Sequence, residues 1–184
     1  MPEMPPHELL PLLRLQKVPQ VGDVNAKKLL ERCGSAEQVF KERKSTLQKI
    51  DGIGSVLLSG LWDDIHLEEA EKELQFIEKN QIDYAFFKED TYPKLLKHCI
   101  DAPILIFKRG NIDFSGRKVI SIVGTRRITS YGAAFINEFI AAIAPMNPII
   151  VSGFAYGVDI AAQRAATEHH LQTVGCLAHG LNQI

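Results

Sequence analysis

The stretch from Val119 to Asp159, VISIVGTRRITSYGAAFINEFIAAIAPMNPIIVSGFAYGVD, limits what this chain can fold into more than any other. Two short β-branched runs, VISIV and PIIVSG, each end on a glycine, and an apolar-periodic segment lies between them. That order is strand, loop, helix, strand. Two strands joined by a helical crossover run parallel, so the segment predicts a βαβ unit. Its first loop carries two adjacent arginines, Arg126 and Arg127, just past the strand end. Open α/β sheets bind their ligands at that edge.

Length and composition narrow the function. A chain of 184 residues holds one large domain or two small ones. Charge is nearly balanced, with 21 basic against 22 acidic residues, so a nucleic-acid partner has to be held by a local patch. Cys33, Cys99 and Cys176 are far apart and form no CxxC or Cys/His cluster. Neither a zinc site nor a disulfide framework is expected, and reduced thiols point to the cytoplasm. The start, MPEMPPHELL, lacks the pattern of a signal peptide, and no apolar run approaches the ~20 residues that span a bilayer. No membrane association is expected.

The chain divides in texture near residue 80. Residues 1–80 read as a helical domain of helix-hairpin-helix or SAM-like type, and residues 81–184 as the front part of a Rossmann-like domain. In the first part, LLPLLRLQKV has helical spacing, and Val21-Gly22-Asp23 opens a helix over Asn25 to Arg32 that Gly34 closes. A second version of this glycine turn follows at IDGIGSVLLSGL. From Ile65 to Asn80 an amphipathic helix buries Leu67, Ala70, Leu74 and Ile77. In the second part, IDYAFF and ILIFK read as strands, with a turn of helix started by Pro93 between them. The βαβ unit follows, with helices over 131–144 and 158–170 and a final strand in TVGCLA. Gly180 has the look of another strand-end turn. The parallel sheet is therefore expected to be incomplete and the chain to be the front of a longer protein.

The two sheet-edge loops hold the candidate site. In GTRRITSYG, Gly124 lets the backbone turn off the strand, and Thr129 or Ser130 caps the next helix. Free N–H groups at that helix start attract anions, and Arg126 or Arg127 can grip a phosphate with two parallel bonds. The plainer reading is a helix start with two solvated arginines. GxGxxG is absent and no acidic residue stands at the ribose position, so neither a nicotinamide nor any other cofactor is expected. In SGFAYGVD, Gly153 and Gly157 permit close backbone approach to a ligand, Ser152 can donate to a phosphate, and Asp159 lies in the first helical turn. The plainer reading is turn geometry and helix–sheet packing. The helical glycine turns offer a third candidate. Their backbone N–H groups, with Lys27, Lys28 and Arg32 nearby, can hold a DNA phosphate, although Asp23 and Asp51 sit at the same turns. His98, His169, His170 and His179 show no metal-ligand spacing, and no nucleophile elbow is present.

Four stretches in this order resemble the DNA-processing protein A family, also called DprA or Smf: the double glycine-turn start, D-x-YPKLLKHCIDAPILIFKRG over Asp90 to Gly110, SIVGTRRITSYG, and VSGFAYGVDIAAQRAA. The resemblance implies an extended Rossmann-like domain that is not an enzyme and forms a homodimer in the full-length protein. It implies binding of single-stranded DNA in natural transformation, protection of the incoming strand and help in loading the RecA recombinase. It places the DNA pocket on Gly124, Thr125 and Arg126, with Arg127 adjacent, and on Ser152, Gly153, Ala155, Gly157 and Asp159. Phe154 and Tyr156 depart from the smaller or basic residues common there. An alternative is a phosphoribohydrolase of the LOG type, a nucleotide-cleaving enzyme with a related fold. It requires an acidic residue near the glycosidic bond and a PGGxGT-type loop, and no such loop occurs before residue 184. A helical adaptor with a purely structural α/β part is a third.

Overall fold

The computed structural model of the chain describes residues 6–183. The reading of residues 1–5 against a signal peptide falls outside them. Two compact units are formed, residues 1–109 and residues 110–184. The boundary expected near residue 80 and this division differ because the strand segment packs on the helices of the first unit. Among the described residues no helix is long and apolar enough to cross a membrane.

In the first unit, α1 (Leu9–Lys17) takes Pro11 in its first turn, where the missing N–H costs no helical bond. It buries Leu9, Leu12, Leu13 and Leu15 and packs on α5 (Asp64–Lys79). Between them lie α2 (Asp23–Cys33), α3 (Ala36–Lys41) and α4 (Lys44–Leu47). Gly34 closes α2 at φ +89°, donating to the Leu30 carbonyl at 2.9 Å, a helix end that glycine makes at least cost. Ser35 then caps α3 through Gln38 N–H at 3.2 Å. In α5, Ala70 and Ile77 of the expected stripe are buried and Leu67 and Leu74 half-buried, with His66 buried beside them.

The second glycine turn does not become a helix. Residues 50–61 form a run of turns, with Leu58 N–H reaching the Gly54 carbonyl at 3.2 Å and Leu57, Leu58 and Leu61 buried. Gly54 and Gly60 bracket too few residues to repay helix nucleation, and burial of the leucines holds the segment instead. The lysines expected to face DNA are used internally. Lys27 Nζ donates to the Ile100 carbonyl at 3.0 Å, and Lys28 Nζ to the Asp51 carbonyl at 2.8 Å.

An antiparallel pair completes this unit: β1 (Asp83–Phe86) lies against β2 (Leu105–Lys108), with Tyr84 opposite Phe107. The Asp23 carboxylate at the start of α2 accepts from Ile104 N–H at 2.9 Å and fastens the pair to the helices. Tyr92 of the YPKLL segment is buried, and its hydroxyl donates to the Pro103 carbonyl at 2.7 Å. Burial, helped by the Asp23 and Cys99 charges, pushes this phenol up to about 12.

The second unit is a three-stranded parallel sheet in the order β3 (Val119–Ser121), β4 (Ile149–Ser152), β5 (Thr173–Gly175). Ile120 stands opposite Ile150, and Val151 opposite Val174. The crossovers are α6 (Ser130–Ile143) and α7 (Val158–Glu168), which pack on each other. Both connections step the same way across the sheet, so right-handed crossovers put both helices on one face. Ile136, Ile140 and Ile143 of α6 meet Ile150 and the small residues Ala162, Ala165 and Ala166 of α7 in one core. The short alanine side chains let α7 lie close to β4.

Candidate nucleic-acid interface

Parallel strands deliver the loops after β3 and β4 to the same edge of the sheet, and the structure binds the two loops to each other. Gly157, the residue before α7, has φ +88° and ψ −124°. A Cβ built there would lie 2.2 Å from the Thr125 carbonyl oxygen and 2.6 Å from the Arg126 carbonyl carbon. The Thr125 carbonyl in turn accepts from Val158 N–H at 3.1 Å. On the other side, a Cβ on Gly124 would come within 2.9 Å of three Val158 side-chain atoms. Both glycines are therefore required by loop-on-loop contact, which for Gly157 is a packing role of the kind that the sequence leaves as the plainer reading.

Asp159 shapes the second loop from beneath. Only 6% exposed, it accepts at Oδ2 from Gly153 N–H at 3.1 Å and Ala155 N–H at 3.4 Å. A Cβ on Gly153 would sit 2.8 Å from the same oxygen. The carboxylate is occupied by its own loop and does not face a ligand. Ser152 requires the same revision. It is 2% exposed and its hydroxyl donates to the Ile122 carbonyl at 2.7 Å, fastening β4 to the end of β3. With its proton committed inside the sheet, the hydroxyl is not available as a phosphate donor.

The cationic part is open. Arg126 and Arg127 are exposed, and among the described residues neither makes an ion pair. Arg127 N–H donates to Thr125 Oγ1 at 3.2 Å, which turns the backbone between them. Thr129 is the cap of α6, accepting from Gly132 N–H at 3.1 Å. The N–H groups of Ser130 and Tyr131 have no acceptor among the described residues, so the start of α6 presents donors next to the arginines. The start of α7 is different. Val158 N–H is taken by Thr125 and Ile160 N–H by the Ala155 carbonyl at 3.2 Å. Of the two helix starts at this edge, α6 keeps its donors and α7 has spent most of them on the loops.

Two aromatic side chains complete this edge. Phe154 is 55% exposed and has φ +59°; Tyr156 is 84% exposed. From the sequence alone, Phe154 and Tyr156 count only as lost positive charge. Their signal was the placement of two aromatic rings in a glycine loop with no apolar periodicity to bury them. Elsewhere, the grouping of His7, Glu8 and Glu37 brings ligand atoms within 4.8 Å of one another. Glu8 there caps Ala36 N–H at 3.0 Å and Glu37 pairs with Lys41, so both carboxylates serve the helices.

The sequence model of the family described as DNA recombination-mediator protein A matches residues 83–184. The chain belongs to this family. The DNA processing protein DprA of Streptococcus pneumoniae is 33% identical over 120 residues, covering 65% of this chain and 39% of that protein. Its Bacillus subtilis namesake is 37% identical over 95 residues, 50% of this chain and 32% of the relative. Protein Smf of Synechocystis is 26% identical over 179 residues, 94% of this chain and 44% of the relative. The chain thus spans less than half the length of these DprA and Smf proteins. The X-ray structure of DNA processing protein A from Streptococcus pneumoniae superposes with a TM-score of 0.65 at 27% identity, over 92% of this chain and 57% of the other. The match to that DprA structure extends over both helical and sheet regions. It agrees with the mixed helix-and-strand fold containing a small parallel sheet.

Proposed function

We propose that the joined loops after β3 and β4 bind the backbone of single-stranded DNA, and that the protein acts in DNA processing during natural transformation. Arg126 and Arg127 supply the charge, the open N–H groups of α6 add donors, and Gly124, Thr125, Gly153, Ala155, Gly157 and Asp159 fix the loop shape. The observation that carries this reading is a pair of exposed arginines that have no carboxylate partner among the described residues, set on a loop braced against its neighbour. Arginines on a rigid edge lose little freedom when they grip an anion, whereas arginines on a floppy loop lose much of what the contact gains.

Membership in a recombination-mediator family supports a cytoplasmic role in which the bound strand is protected and passed to the RecA recombinase, by a homodimer of the complete protein. The LOG-type alternative needs a free carboxylate beside the ligand. The one acidic residue of the two loops, Asp159, is buried under Gly153 and Ala155. The helix-hairpin-helix contact gains no support, because Lys27 and Lys28 are held by carbonyls of their own unit.

Equilibrium anisotropy with a labelled single-stranded oligonucleotide tests the proposal. Affinity is expected to fall steeply as salt is added, because each neutralised phosphate releases counterions. An affinity indifferent to salt would remove the backbone grip.

A further inference from the structure

Resting on that reading, we infer that Phe154 and Tyr156 form a stacking platform for unpaired bases, placed directly beside the arginine grip. The loop Gly153-Phe154-Ala155-Tyr156-Gly157 contains no charged residue, so its two rings are its only recognition groups. Three backbone points hold it: Gly153 N–H and Ala155 N–H on Asp159, and Gly157 against the Thr125 and Arg126 backbone. Phe154 and Tyr156 lie between those points. Phe154 keeps a left-handed backbone, φ +59°, that a non-glycine residue adopts only when its surroundings impose it. Its ring covers Gly175 at the end of β5, where a Cβ would meet Phe154 Cδ2 at 3.1 Å and Cγ at 3.3 Å. Gly175 thus makes room for that ring, while more than half of the side chain stays open to solvent. Tyr156 is next in sequence to the glycine that touches Arg126, so a strand gripped by the arginine passes its bases over these rings.

Exposed aromatic faces next to a cation are what sequence-tolerant binding of single strands requires, since every base has a π-face. A duplex keeps its bases stacked inside and cannot use them. Elsewhere in the same unit, Phe135 and Phe139 of α6 also expose aromatic surface and stack on each other at 6.2 Å. That helix face has no basic residue to hold a backbone, so the platform is confined to the loop.

The test compares a thymidine oligonucleotide, an abasic oligonucleotide of the same length and charge, and a duplex. The wild-type chain is expected to prefer the thymidine strand over the abasic one by on the order of tenfold for each stacked base. Tyr156→Ala, at a side chain 84% exposed, is expected to lower that preference by on the order of tenfold, the contribution of one ring, and Tyr156→Phe to restore it. The salt dependence should stay the same in both variants, because no phosphate contact is altered. An unchanged preference in Tyr156→Ala would overturn the platform and leave the arginine grip standing. Failure of all three ligands to bind the wild-type chain would overturn both.

Discussion

Replacing Gly157 by alanine is expected to force the two loops apart. Its φ of +88° lies where an L side chain is strained, at a cost of about 1–3 kcal/mol. The added Cβ would also stand 2.2 Å from the Thr125 carbonyl oxygen. Overpacking of that kind costs about 1–3 kcal/mol more. The sum, about 2–6 kcal/mol, is a large share of a domain's stability of roughly 5–15 kcal/mol. The cheaper relief is local. Breaking the Val158 N–H bond to Thr125 costs about 1 kcal/mol, and a shift of about 1 Å restores an ordinary carbon–oxygen contact. The Arg126 backbone would move with it. Hydrogen exchange at the Val158 amide should accelerate, the denaturation midpoint should fall, and single-strand affinity should weaken. Gly54→Ala is the control, since Gly54 has no positive φ and nothing within 4 Å of its would-be Cβ. It should stay within about 0.5 kcal/mol of the parent. If Gly157→Ala matched that control in stability and in Val158 protection, the bracing of the two loops would be refuted.

Ser152→Ala should cost about 1 kcal/mol in chemical denaturation by removing the bond to Ile122, and leave DNA affinity unchanged; a selective loss of affinity would return Ser152 to the binding surface. Asp159→Ala should destabilise the second unit by about 2–3 kcal/mol, because Gly153 and Ala155 N–H lose a charged acceptor, and an unaffected denaturation curve would contradict that role. Tyr92 adds a pH dependence. With the folded phenol at about 12 against an ordinary 10.0, its stabilising effect is full below pH 10 and is lost as pH rises through 12. Denaturation of Tyr92→Phe against the parent over that window should show the parent losing its advantage; parallel curves would show that the phenol does not titrate as its burial requires.

The βαβ unit was legible because its signals are local. VISIV and PIIVSG declare strands by β-branching, and the following glycines mark where each one ends. Thr129 or Ser130 was expected as a cap, and the geometry chose Thr129 because its Oγ1 reaches Gly132 N–H. The second glycine turn misled because its motif matches Gly22 locally, while its leucines are held by burial without a helix. At the site, the arginines were legible as charge after a strand. The functions of Gly124, Gly157 and Ser152 were not, since each depends on atoms of another loop or strand about thirty residues away along the chain, which periodicity does not encode. Asp159 looked like a helix-dipole residue from its position, and only the fold of the loop shows its carboxylate beneath Gly153 and Ala155.

In the proposed function Arg126 neutralises backbone phosphate on a braced edge. The most direct measurement of that role is the slope of log affinity against log salt for the parent chain and Arg126→Ala with the same single strand. The slope is expected to be shallower by about one in the variant, with affinity reduced alike for all sequences. An Arg126→Ala protein with the parent's slope and affinity would contradict it.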